Sequence, residues 1–239
     1  MNIAVIFAGG IGSRMNIKEL PKQFLKLHGK EIIIYTLEHF ECHEDIDGIV
    51  IACVADWIPL LQELIEKYNL KKVLDIVPGG GTGQESIFCG LAAVKRRYGN
   101  DNVVLIHDGV RPLINEKTIT ACLDCVKKNN NAVTVAPVVE TIIRVDEEER
   151  IKDVIKRSEC LLARAPQCFH LNDILAAHDR AKADNKDEFI DSASLMRYYG
   201  HSLATVRGPV ENIKITTPMD FYTFRALYDA RENEQLESV

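Results

Sequence analysis

Residues 8–24 read AGGIGSRMNIKELPKQF, directly after the apolar run NIAVIF at 2–7. The run is short and unbroken, as in a strand buried on both faces of a parallel sheet. The stretch after it packs Gly9, Gly10 and Gly12 against the strand end, then spaces cations at Arg14, Lys18 and Lys22. Glycines let backbone amides come close to a ligand, and successive free amides form an anion-binding nest. Arginine and lysine on the same loop add full charges for phosphate oxygens. A strand feeding a glycine-rich, cationic turn is a phosphate-handling device.

Outward from this stretch, strand-like runs at 2–7, 48–54, 72–77, 103–106 and 132–136 alternate with helical patterns at 32–40, 57–68, 85–98 and 115–129. That rhythm predicts an α/β fold with a doubly wound, mostly parallel sheet and helices on both faces. Ligands in such sheets bind beyond the carboxyl ends of the strands, so the loops at 8–24, 78–83 and 107–112 are expected to carry the site. Further on, helices are expected at 171–183, 189–199 and 219–231, with a strand at 203–206. Asp191 reads as an ordinary N-cap. The whole of 1–239 is expected to form a single domain.

From 138 to 167 the rhythm breaks. VVETIIRV at 138–145 and IKDVI at 151–155 flank the acidic stretch DEEE at 146–149. Two strands joined by a polar turn make a hairpin, so 138–157 is expected to project from the main sheet as a β-arm.

Composition narrows the partners. Net charge is −6 and apolar residues make up 46%, ample for a core and wrong for a broad nucleic-acid-binding face. Positive charge must be concentrated where an anion sits. No stretch approaches a membrane span and no secretory leader is recognisable, so a cytoplasmic protein with no membrane partner is expected. Seven cysteines form no regular framework, and free thiols are the expectation. Cys122 and Cys125 fall in a helical pattern and read as buried small apolar residues.

Two phosphate loops are excluded by spacing. No string matches the P-loop, and the dinucleotide fingerprint fits Gly10 and Gly12 but fails at Met15. A nicotinamide-dependent oxidoreductase is thereby disfavoured. A catalytically silent nucleotide-binding regulator stays open as the other class. The second loop, PGGGTG at 78–83, permits tight backbone contact with a base or sugar before a helix start at Gln84, Glu85 and Ser86. In the third, HDGVRP at 107–112, Asp108 sits just past a strand end, where a hard cation can be held over phosphates. Arg111 is placed to face the same anion, while His107 reads as structural.

GG-x-G-x-R-M followed by PKQF, with HDGVRP and the later NIKITTP at 212–218, resembles the polyol-phosphate cytidylyltransferases. These act on methylerythritol phosphate or ribitol 5-phosphate, and the matching motifs run from residue 3 to about 225. The resemblance implies attack of a polyol-phosphate oxygen on the α-phosphorus of CTP, with Mg²⁺ as cofactor. It implies catalytic Arg14, Lys22 and Lys214, and a nucleotide cradle of Ala8, Gly9, Gly10, Gly12, Gly79, Gly80, Gly81 and Ser86. It places Asp108, Arg111, Thr141 and Arg157 on the acceptor, with Asp108 also holding the metal. In the family the arm clasps a second subunit, so a homodimer with exchanged arms is implied. Thr141 and Arg157 would then serve the partner's site. Two departures stand out: Gly83 where the family usually has arginine, and Ala165 where it has threonine. Ala55–Trp57, Arg207–Gly208 and Gly9–Gly10 look more like the ribitol branch.

Arg14→Ala and Lys22→Ala are each expected to slow turnover roughly 10²–10³-fold, the usual cost of removing one preorganised charge-stabilising donor. Near-normal turnover in either purified variant would remove that residue from the mechanism.

Overall fold

The computed structural model describes residues 1–9, 20–186 and 188–237, with 234–237 as helix backbone only. In chain order the elements begin with β1 (Asn2–Ala8), a small hairpin of β2 (Lys26–Leu27) and β3 (Lys30–Glu31), and α1 (Ile32–Cys42). Next come β4 (Gly48–Cys53), α2 (Ile58–Lys67), β5 (Val73–Pro78), α3 (Gly83–Tyr98), β6 (Val103–Asp108), α4 (Glu116–Asn129) and β7 (Asn131–Pro137). The chain continues through β8 (Ile142–Val145), β9 (Ile151–Ile155), β10 (Leu161–His170), α5 (Leu171–Ala183), α6 (Ser192–Tyr198), β11 (Thr205–Arg207) and α7 (Pro218–Glu237).

The central sheet has seven strands in the order β11-β7-β10-β6-β1-β4-β5. β1 lies between β4 and β6 and is parallel to both. Side chains of β1 alternate between the two faces: Ala4 and Ile6 join the core under α1, α2 and α4, while Ile3 and Val5 join the one under α3, α5 and α6. Both faces are covered, which is why the strand reads as an unbroken apolar run. Helix starts follow local chemistry. Thr82 and Glu85 form a reciprocal capping box at α3, and the Asn115 side chain accepts from the Thr118 amide at α4. Asn130, at φ 63°, ends α4 in the left-handed region.

The expected rhythm is present, and one strand had no sequence signal. β10 enters the sheet antiparallel between β6 and β7. Its sequence, LLARAPQCFH, carries a central proline and no alternation, which argues against a strand deep in a sheet. The register shifts between Ala163 and Gln167, so Pro166 sits in a bulge where no ladder donor is needed. The later elements differ by a few residues: β11 spans 205–207 and α6 spans 192–198.

β8 and β9 pair antiparallel as a separate two-stranded sheet, as expected of the 138–157 arm. Val139, Ile143, Val145, Ile151 and Val154 on this arm are exposed. All seven cysteines are free thiols. Cys122 is buried in the α4 core and Cys125 packs against that core.

Thr134, fully buried on β7, donates to the Pro166 carbonyl at 2.7 Å across the bulge of β10. Thr134→Val keeps the volume and strands that carbonyl, so a loss of roughly 1–3 kcal/mol is expected in urea unfolding. An unchanged midpoint would show that the bulge is held by its neighbours alone.

Candidate active site

β1, β4, β5 and β6 deliver their carboxyl ends to one edge of the sheet, and β10, running the other way, starts there. At the end of β1, buried Gln23 donates from Nε2 to the Ala8 carbonyl at 2.8 Å. Gln23 belongs to a 3₁₀ turn, Lys22–Phe24, whose Phe24 is buried against Trp57 with ring centroids 5.5 Å apart. The PKQF string therefore anchors Lys22 beside the strand end. Gly10, Gly12, Arg14 and Lys18 of the same loop lie outside the described residues.

The second glycine loop closes against the first through one hydroxyl. Ser86 is buried, donates to the Thr82 carbonyl at 2.9 Å and accepts from the Gly80 amide at 3.2 Å. A Cβ added at Gly9 would lie 2.5 Å from that oxygen, and one at Gly79 2.8 Å. Only glycine lets both turns approach Ser86, so the serine acts as a brace between the two loops. Gly83 opens α3 with nothing within 4 Å of where a Cβ would stand. Packing therefore does not force its lack of a side chain.

The third loop holds the charges. Asp108 ends β6, and its Oδ2 accepts from Arg111 Nε at 2.6 Å. Arg111 Nη1 donates to the Asn212 carbonyl at 3.0 Å, and His107 Nε2 donates to the Arg111 carbonyl at 3.2 Å. Asn212 is fully buried and donates to the Ala165 carbonyl at 2.8 Å. The Ile215 amide donates to the Val110 carbonyl at 3.0 Å. These bonds tie NIKITTP to HDGVRP and set Lys214 Nζ 2.6 Å from Asp108 Oδ1 in an ion pair. Burial alone would raise the Asp108 pKa, but the charges of Arg111 and then Lys214 outweigh it and hold the carboxyl at about 2. His107 is pushed down to about 3 by complete burial, so it is neutral and structural, as the sequence suggested.

Asp108, Arg111 and Lys214 face a cavity of about 380 Å³. Thr82–Gln84 form one wall, and residues 163–165, Gln167 and 189–192 form the other. Three cations (Arg111, Arg164, Lys214) meet two carboxylates (Asp108, Asp191) there, so the cavity favours an anion. Asp191 does cap α6, accepting from the Ser194 amide at 2.8 Å, and also accepts from Gln167 Nε2 at 2.8 Å. Thr141 and Arg157 are not brought to this cavity within one chain. Both are exposed on the arm, where Arg157 Nη1 donates to the Val139 carbonyl at 2.9 Å. Sequence reasoning passed over Arg164, whose signal was a cation directly before Ala165–Gln167 in an otherwise apolar stretch.

A model of the IspD family, 2-C-methyl-D-erythritol 4-phosphate cytidylyltransferase, matches residues 2–229. The chain belongs to this family. Ribitol-5-phosphate cytidylyltransferase of Streptococcus agalactiae serotype V is 52% identical over 236 residues, covering 99% of this chain and 98% of the relative. The enzyme of that name from Vibrio parahaemolyticus serotype O3:K6 is 51% identical over 236 residues, covering 99% of each. Among solved structures, 4-diphosphocytidyl-2C-methyl-D-erythritol synthase from Anaerococcus prevotii superposes with a TM-score of 0.82 at 26% identity, over 95% of this chain and 96% of that one. PKQF, HDGVRP and NIKITTP, the motifs that fall on described residues, thus lie on the cytidylyltransferase fold. Among the described residues no helix is long and apolar enough to cross a membrane.

The depressed pKa values fix the sign of the acid response. Both folded values lie below the ordinary ones, so both contributions to stability are complete above the unfolded pKa and lost as pH falls. His107 acts over the window from 6.5 down to about 3, and Asp108 only between 3.8 and about 2. His107→Gln is therefore expected to flatten the fall of Tm between about pH 7 and 4.5. An unchanged slope would assign that acid sensitivity to other groups.

Proposed function

We propose that this cytidylyltransferase transfers the cytidylyl group of CTP to D-ribitol 5-phosphate, forming CDP-ribitol and pyrophosphate. The observation that carries the reading is Asp108 clamped between Arg111 and Lys214 beside two glycine loops. The choice of acceptor is supported by the ribitol name of the full-length relatives at 51–52% identity.

The acceptor phosphate oxygen is already anionic at neutral pH, so no strong base is required. The difficulty is bringing two anions together, and catalysis comes from positioning and charge neutralisation. Arg14 and Lys22 hold the triphosphate and the departing pyrophosphate. Lys214, at 40% side-chain exposure, has the freedom to turn from Asp108 to the α-phosphate. The Gly79–Gly81 turn and Ser86 hold the nucleoside by close approach, since the Gly79 and Gly80 amides are already bonded to the Cys53 carbonyl and to Ser86. Ala8, Gly9 and the rest of the first loop take the phosphates. Arg111 faces the acceptor.

Asp108 also fits Mg²⁺. Its Oδ1 is a buried carboxylate oxygen whose neighbour, Lys214, is 40% exposed and can turn away, and one carboxylate plus substrate phosphates is a usual Mg²⁺ set. When bound, the ion would neutralise phosphate charge and orient the triphosphate.

The arm supplies the oligomer. A lone two-stranded hairpin is marginal in water, and this one exposes apolar side chains along both strands. A second copy of the arm is the proposed cover, carrying Thr141 and Arg157 into the partner's cavity. A cytoplasmic location suits an enzyme that draws on CTP.

Pyrophosphate release from CTP and Mg²⁺ is expected with D-ribitol 5-phosphate, at least tenfold better in kcat/KM than with methylerythritol phosphate. Tenfold needs only about 1.4 kcal/mol of differential transition-state binding. The reverse preference moves the chain to the methylerythritol branch, and full activity in excess EDTA ends the metal assignment. Co-expressed Arg157→Ala and Lys22→Ala subunits should recover up to about a quarter of wild-type activity, since each mixed dimer holds one intact site. Mixed dimers no more active than their parents would confine Arg157 to its own subunit or to no site.

A further inference from the structure

We infer that Arg164 binds the phosphate group of the acceptor, as a second guanidinium beside Arg111. The inference rests on the reading of this cavity as the acceptor site. Arg164 lies in the bulge of β10, where the register shifts between Ala163 and Gln167, and it lines the cavity that holds Asp108 and Lys214. Bulges re-aim side chains, and this one brings Arg164 to the cavity wall between Ala163 and Ala165.

Its donors are largely unspent. Nε is buried without an acceptor, and Nη1 reaches only the Asn212 carbonyl, at 3.5 Å. That carbonyl already receives Arg111 Nη1 at 3.0 Å. Among the described residues no carboxylate lies within ion-pair distance of Arg164, and Asp191 across the cavity is committed to α6 and Gln167. Partial burial, and then the like charge of Arg111, both act to lower the Arg164 pKa. A half-buried guanidinium held against another cation with no counterion is a costly arrangement in the absence of an anion.

Position selects which anion. The glycine loops follow β1 and β5, on one side of β6, whereas Arg164 is on β10, on the other. The triphosphate belongs to the first side, and the attacking phosphate monoester must come from the second. A phosphate monoester dianion offers its oxygens to two planar guanidinium forks at once, which neither a sugar hydroxyl nor a base could match in charge.

The test uses Arg164→Ala and Arg164→Lys in the full chain. With CTP, Mg²⁺ and D-ribitol 5-phosphate, Arg164→Ala is expected to raise the acceptor KM about 10- to 100-fold while leaving the CTP KM within about twofold. Arg164→Lys, which keeps the charge and loses the fork, should fall between. By calorimetry, Arg164→Ala should also lose affinity for D-ribitol 5-phosphate, approaching the weak binding of unphosphorylated ribitol to the wild type. An unchanged melting temperature would exclude misfolding as the cause. Unchanged acceptor KM and ester affinity would overturn the inference, and so would a rise in the CTP KM alone. Should the wild type not use D-ribitol 5-phosphate, the functional reading fails by itself. Inorganic phosphate then decides Arg164: wild-type binding that weakens in Arg164→Ala keeps the assignment, and equal binding ends it.

Discussion

Asp108 is a buried carboxylate at the cavity wall, and the site exists because two cations reach it there, Arg111 from the same loop and Lys214 from far along the chain. Taking that charge out of water costs several kcal/mol, which attraction repays only where geometry and further hydrogen bonds are good. Arg111 supplies one such bond at 2.6 Å and spends another donor on the Asn212 carbonyl. Asn212 holds the Ala165 carbonyl in turn, so 107–112, 212–215 and the bulge of β10 form one bonded unit. The anion site is preorganised before any substrate arrives, and the positions of its cations are correlated.

The same unit explains why one strand runs against the others. A parallel β10 would bring its carboxyl end, not its start, to the ligand edge. Running antiparallel, it lays Arg164, Ala165 and Gln167 beside Asp108 and continues straight into α5. Gln167 then fixes α6 by donating to Asp191 and accepting from the Ala193 amide at 2.8 Å. One reversed strand therefore supplies a wall of the cavity and positions the helix that completes it.

The charge distribution is consistent with this economy. The chain carries a net −6, yet cations outnumber carboxylates in the cavity. The acidic surface keeps the affinity for anions local. Both carboxylates in the cavity already have partners, so an entering phosphate meets cations and amides first.

By itself the sequence determined the wound sheet and where its glycine-rich and charged loops fall, with Asp108 and Arg111 together after one strand, while Lys214 was implied only by the family resemblance. The sheet and loops rest on local rules: apolar runs make buried strands, glycines and cations after a strand suit phosphates, and a capping residue such as Asp191 marks a helix start. The arm at 138–157 was legible for the same reason, as a turn between two apolar stretches. Tertiary structure decided the rest. β10 was hidden because Pro166 contradicts a central strand until a bulge removes the need for its missing donor. Arg164 was hidden with it, since a lone arginine in a chain has no sign of which way it points. Ser86 could be named as a nucleotide contact from its place after the glycines, but only the fold shows Gly9 and Gly79 converging on its hydroxyl. Such facts depend on segments far apart in sequence meeting at one edge of a sheet, and no local pattern encodes which segments those are.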